Sequence, residues 1–448
     1  MKYIVPKIIE TNWMIKPSAN DSEDYMYLRK RLISIVLLLV LTALLFAAPF
    51  SSGSGGKENM AKRDVFAEYG EMDPVKIYLA TDTHYIDPSL YEDSDFFIDM
   101  VKKGDGKFMP YCEEINSAFI DKVIADKPDA LIVAGDLTFN GARESHASFA
   151  KMLGRVEAAG IPVLAIPGNH DFTIKRAAKF LKDSYELVDS IDASEYIELY
   201  GDFGRLDSFD FDATSLSYVY ELSPNLRILC VDVNTVQGMP GILTEGTLSF
   251  VKEQLERARE DKAYVISVTH QTLLTHSELT SQGMSFINSD KLLELYEEYG
   301  VVMNLSGHMH IQHIAVSGGG VPDIATGSLM TSPNYYGEIN LEGKHVSYRA
   351  VPFVVDSVPD FEKLSHDFLW DNAYRQGKEN LDDSKENDDL ASFFADFNVS
   401  YIAGRSDQIQ WDEDIVKRWK KTGSFVPEYF KIVKREGANN FTSFDMDL

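Results

Sequence analysis

Pro167-Gly168-Asn169-His170-Asp171 comes directly after the apolar run Ile161 to Ile166. A glycine lets the chain turn tightly there, an Asn side-chain oxygen can ligate a hard or borderline cation, and the adjacent histidine can carry a proton. One turn therefore holds both a ligand and an acid. Alone the pentapeptide settles little, but four further stretches are built the same way: Asp82-Thr83-His84, Gly135-Asp136, His270, and Gly307-His308-Met309-His310. Each follows a short apolar run, and α/β sheets present ligands at the carboxyl ends of their strands.

The chain around these motifs alternates between strand and helix patterns. Strands are expected at Val75 to Thr81, Ala130 to Val133 and Ile161 to Ile166, with helices over Tyr111 to Asp126 and Ser145 to Ala159. The rhythm resumes with strands at Leu226 to Asp232, Ala263 to Thr269 and Val301 to Leu305, and with helices over Thr247 to Asp261 and from a Ser289 cap to Tyr299. A β-rich section, His313 to Ala350, turns at Glu342-Gly343. Amphipathic stretches at Asp360 to Arg375, Asp388 to Ala403, Asp412 to Lys421 and Pro427 to Arg435 then predict a small helical domain over 356–448. The fold class is thus α/β over 74–355, with a helical carboxy-terminal part.

Mixed carboxylate and imidazole ligands are typical of phosphoester-cleaving centres, where two cations about 3.5 to 4 Å apart clamp the attacking and leaving oxygens. Asp136 is the natural bridge. Asp82 and His84, two apart on an extended segment, can serve one ion, Asn169 and His270 the other, and His308 and His310 one each. Five of the ten histidines fall in these motifs, which core packing does not explain.

In this order the motifs make the chain resemble the calcineurin-like metallophosphoesterases over roughly Val75 to Phe353. The resemblance implies a four-layer fold of two β-sheets flanked by helices. It implies one metal on Asp82, His84, Asp136 and His310, and a second on Asp136, Asn169, His270 and His308. It further implies that His170 contacts the substrate phosphate and protonates the leaving group, with Asp171 orienting it, while a hydroxide held between the cations attacks phosphorus. Phe139 stands where purple acid phosphatases have a ligating Tyr, and the arginines of the protein serine/threonine phosphatases are missing. The Gly-Asp-Leu-Thr-x-x-Gly form, with Asp171, is similar to class III cyclic nucleotide phosphodiesterases and related bacterial small phosphodiesterases. The expected activity is hydrolysis of cyclic nucleotides or similar small phosphodiesters. An extracytoplasmic phosphomonoesterase or nucleotidase and a non-catalytic binding module are the alternatives. The metals are divalent, and the ligand set accepts manganese, iron, zinc or cobalt.

Candidates for substrate selection are Asn140, Arg143 and His276, against the plainer readings of a helix-capping Asn, a surface Arg and a solvated His. The net charge of -27 disfavours nucleic-acid polymers as partners, and the motifs make a small phosphoester the expected substrate. Two cysteines, Cys112 and Cys230, cannot build a disulfide framework. Leu32 to Phe50 is almost wholly apolar, lies between Arg29-Lys30-Arg31 and a Gly/Ser linker over 51–73, and follows a polar leader over 1–31. It predicts a signal-anchor or a cleaved signal, and so a membrane-anchored or secreted protein whose catalytic part is extracytoplasmic.

Overall fold

The computed structural model describes residues 64–92, 94–172, 176–280, 283–381 and 387–448. The apolar run at 32–50 and its leader lie outside the described residues. Among the described residues no helix is long and apolar enough to cross a membrane.

Two sheets lie face to face. In the first, β1 (Met72–Ala80), β2 (Ala130–Ala134) and β3 (Val163–Ile166) are parallel neighbours, and β1 also pairs antiparallel with β13 (Tyr335–Gly343). The hairpin partner β14 (His345–Pro352) and the last strand, β15 (Ser443–Asp447), complete it. The second sheet has β8 (Leu226–Cys230), β9 (Tyr264–Val268), β10 (Met303–Ser306) and β12 (Pro322–Ala325) in parallel. Antiparallel strands close both its edges: β11 (His313–Val316) on one side, β7 (Tyr218–Ser223) and β6 (Asp210–Phe211) on the other.

Side-chain alternation along each strand explains the layers. On β1, Ile77 and Leu79 point into the core between the sheets, while Tyr78 and Ala80 point outward. Ile132, Leu164, Ile228 and Ile266 join the inner core; Leu131, Val133 and Val163 join the outer one, against helices Cys112–Asp126 and Arg143–Ala158. Helices Glu245–Asp261 and Ser289–Tyr299 cover the far face of the second sheet through Leu229, Val251, Leu255 and Leu292. Both faces of the central strands are covered, so they read as continuous apolar runs. Each fully buried Leu or Ile contributes about 1.5–3 kcal/mol. The helix from Ser289 is preceded by Asn288 at φ 69°, so Asn288 and not Ser289 holds the cap position.

Helices Phe361–Glu379, Asp388–Ile402, Glu413–Trp419 and Val426–Glu436 follow, and the chain then returns to the first sheet as β15, which the sequence reading did not assign. Their shared core contains Phe394, Trp419 and Phe430, and also Met309, the residue between His308 and His310. Both cysteines are buried free thiols.

Candidate metal centre

Every motif emerges at the carboxyl end of a parallel strand: Asp82 and His84 after β1, Asp136 after β2, Asn169 to Asp171 after β3, His270 after β9, and His308 and His310 after β10. Backbone hydrogen bonds tie these ends together. The Asp82 and His84 amides donate to the carbonyls of Gly135 and Asp136 at 3.1 and 3.0 Å, and Gly307 donates to the His270 carbonyl at 2.9 Å. The His308 amide donates to Asp82 Oδ2 at 2.9 Å, which joins one sheet to the other.

Two groups of donors converge. Asp82, His84, Asp136 and His310 form one; Asp136, His270 and His308 form the second, with ligand atoms in each within 4.8 Å of one another. Asn169 joins the second group, its Oδ1 lying 3.2 Å from His270 Nε2. Asp136 belongs to both. His84 Nε2 and His310 Nε2 face each other at 3.0 Å, and His310 Nε2 lies 3.2 Å from Asp82 Oδ1.

The residues fit a pair of divalent cations. Burial, reinforced by the Lys107 and His170 charges, holds His84 well below the usual imidazole range, so it presents a bare nitrogen. His270 Nδ1 lies 2.9 Å from the Ala134 carbonyl and donates to it, leaving Nε2 for a cation. Asp82, His84, Asp136, His308 and His310 all adopt positive φ, between 40° and 66°. Such backbone costs of order 1–3 kcal/mol per residue and persists where surroundings hold it for function. Two glycines permit the approach: a Cβ on Gly168 would lie 2.2 Å from the Asp136 nitrogen, and one on Gly307 would lie 1.7 Å from Thr81 Oγ1.

The charges set a pH dependence. Burial opposes ionisation of Asp136, but the imidazoles of His270 and His170 overcome it and hold the carboxyl well below the usual range. Burial would also lower His270, yet Asp136 and Asp82 push it up to about 9. The metal-free protein therefore keeps a proton on His270 at neutral pH, and a cation must expel it. Affinity for manganese or zinc is expected to fall about tenfold for each unit of pH below 9 and to level off above it. Calorimetric titration in buffers of different ionisation enthalpy checks this, and uptake without proton release would contradict it.

The chain also matches, over residues 75–312, the family model for calcineurin-like phosphoesterases. The chain belongs to the calcineurin-like phosphoesterase family. It is similar to a protein named probable glycerophosphodiester phosphodiesterase GpdQ from Arcobacter nitrofigilis, at 28% identity over 185 residues, 41% of this chain and 57% of that protein. The glycerophosphodiester phosphodiesterase GpdQ of Enterobacter lignolyticus is 28% identical over 189 residues, 42% of this chain and 58% of its own length. The match thus spans somewhat over half of each of these relatives. A dimetal phosphatase structure from Danio rerio aligns at 12% identity and TM-score 0.47, covering 62% of this chain and 96% of that one.

The other site candidates of this calcineurin-like phosphoesterase divide clearly. His170 lies at the centre's edge, its Nε2 3.9 Å from Asp136 Oδ2 and its amide donating to Asp136 Oδ1 at 2.7 Å. Its Nδ1 is 2.7 Å from the Phe139 carbonyl, so that carbonyl orients the ring. Asp171 does not orient it. Its carboxylate accepts from the amides of Gly168, Leu137 and Thr138 and from the Thr138 hydroxyl, and so holds the turn. Burial and the Asp136 charge push Asp171 up to about 7. The donors aimed at it oppose that rise, because they stabilise the carboxylate form.

Asn140 is buried beside the centre and donates to the Ala178 carbonyl at 3.1 Å; it caps no helix. Arg143 is exposed, paired with Glu195 and bonded to the Ser190 carbonyl, so it serves the surface. His276 is neither solvated nor at the metals: it is buried, 3.0 Å from Asp323 Oδ2 and 3.1 Å from His313 Nδ1. Sequence reasoning missed Asp105 and Lys107. Asp105 Oδ2 lies 3.4 Å from His310 Nδ1 and 2.7 Å from the buried Lys107 ammonium. The one available signal was Lys-Gly-Asp-Gly-Lys at 103–107, a charged turn that reads as surface.

Proposed function

We propose that this chain hydrolyses small phosphodiesters, the class that includes cyclic nucleotides and the glycerophosphodiesters of its named relatives. The reading rests on one observation: two groups of buried donors share Asp136, with the His170 imidazole beside them. Bound divalent cations would supply Lewis acidity toward the phosphoryl oxygens and a water acidic enough to attack at neutral pH. Asp82, His84, Asp136 and His310 would hold one cation; Asp136, Asn169, His270 and His308 the other. The chain's own part is to gather those ligands at the strand ends and keep them dry. His170 Nδ1 donates its proton's hydrogen bond to the Phe139 carbonyl, so Nε2 faces the reacting phosphate, and the imidazolium form passes its Nε2 proton to the departing oxygen.

A diester is favoured over a monoester by charge. Lys107, the buried cation next to His170, is already paired with Asp105 at 2.7 Å, so the extra negative charge of a monoester would meet only the solvent-exposed Lys103 and Arg176 in that wall. With manganese added, kcat/KM for bis(p-nitrophenyl) phosphate is expected to exceed that for p-nitrophenyl phosphate by about tenfold or more, the scale on which sites separate related ligands. Preference for the monoester would install the phosphomonoesterase reading instead. The apolar run at 32–50 supports placing this activity outside the cytoplasm.

A further inference from the structure

Beside the metal centre lies a cavity of about 390 Å³, inside the usual range of roughly 300–1,000 Å³ for small-molecule sites. His170 forms part of its wall. Apart from Phe139 and Asn140, which follow Asp136 in the turn after β2, the rest comes from segments that carry none of the metal motifs. Helix Asp95–Lys102 contributes Phe96, Met100 and Val101, the turn after β2 contributes Phe139, and the hairpin of β4 (Ala178–Phe180) and β5 (Tyr185–Leu187) contributes Phe180 and Leu187. Tyr185 and Leu187 are 41% and 57% exposed, so the apolar lining continues outward to solvent. Of the buried polar groups, Lys107 pairs with Asp105 and the Asn140 amide nitrogen donates to the Ala178 carbonyl, while the charged Asp99, Lys103 and Arg176 line the cavity at exposed positions. The wall is also fixed, since Asn372 donates to the carbonyls of Lys102 and Gly104, and the Phe108 amide donates to the Met330 carbonyl.

We infer that this cavity receives the alcohol released from the substrate and selects an apolar alcohol, aryl or alkyl, over a polyol or nucleoside. The inference rests on the hydrolase reading above. In that reaction a water oxygen bonds to phosphorus, the bond from phosphorus to the departing oxygen breaks with its electron pair, and His170 Nε2 gives that oxygen a proton. The proton lost by the attacking water returns, through solvent, to His170. Whatever is attached to the departing oxygen must therefore extend past His170, and the space there is mostly apolar, with the charges of Asp99, Lys103 and Arg176 at exposed positions. An aryl or alkyl group is transferred from water to that wall favourably. The hydroxyls of glycerol or ribose would give up their water against a wall that is mostly apolar and offers them few partners.

The test compares benzyl methyl phosphate with glyceryl methyl phosphate on the manganese-loaded enzyme, scoring the alcohol released. The benzyl ester is expected to have the higher kcat/KM by about tenfold or more, the scale of apolar-pocket discrimination. Met100→Trp, which fills the cavity, and Leu187→Asp, at an exposed position where folding is insensitive, should each reduce that ratio. Binding of benzylphosphonate against 2,3-dihydroxypropylphosphonate, followed by calorimetry, supplies a readout without turnover. Equal handling of benzyl and glyceryl compounds in both assays, or variants that leave the ratio untouched, overturns the pocket. No turnover of any diester, with benzylphosphonate still bound more tightly and Leu187→Asp removing that preference, upholds the pocket and refutes the hydrolase reading.

Discussion

Asp136→Ala is expected to empty both cation positions at once and to lower turnover by about 10⁴-fold. Asp136 is the member common to the two donor groups, so its loss takes a ligand from each. Losing one preorganised charged contact costs about 10²-fold or more in such a site, and here two are lost together. The damage extends beyond coordination. The carboxylate also accepts the His170 amide at 2.7 Å and faces His270 Nε2 at 3.3 Å. Without it the His270 imidazole loses the charge that raises it to about 9. Metal analysis of the purified variant, alongside wild type, is the direct check. A variant that keeps two equivalents of metal would refute the sharing of Asp136.

The legible parts of this molecule are those where one physical requirement dominates a short stretch. Strands such as Leu131 to Val133 and Ile228 to Cys230 are covered on both faces, so they announce themselves as apolar runs. The ligand motifs stand out because a cation needs several donors at strand ends, and strands are separated by helices of ordinary length. Asp171 shows where adjacency misleads. It sits next to His170 in sequence, but the turn directs its carboxylate back to the amides of Gly168, Leu137 and Thr138. His276 misleads differently, since a histidine close after a ligand looks like site lining while Asp323 and His313 claim it for the interior. Asp105 and Lys107 were hidden because their burial comes from the packing of Leu369 on Gly106 and from the Asn372 bonds to the preceding carbonyls. Nothing in a charged, glycine-containing turn foretells that cover. β15 was hidden because its alternation, Phe444 and Met446 inward, is masked by aspartates on an edge strand.

His170→Ala separates proton transfer from metal holding. The imidazole is not in either donor group, its Nε2 stands 3.9 Å from Asp136 Oδ2, and the backbone amide that binds Asp136 survives the substitution. Metal content should therefore stay at the wild-type level while kcat falls by about 10²–10⁴-fold, the usual worth of a positioned acid. The fall must depend on the leaving group if the imidazole protonates it. An alkoxide cannot depart without a proton, so alkyl esters should lose most of that factor. A p-nitrophenolate is stable as the anion, so bis(p-nitrophenyl) phosphate should lose far less. An equal loss on both substrates would mean that His170 holds the phosphate in the ground and transition states alike, and would remove it from the role of acid. Parallel loss of metal would instead make it part of the cation cage, against the 3.9 Å separation.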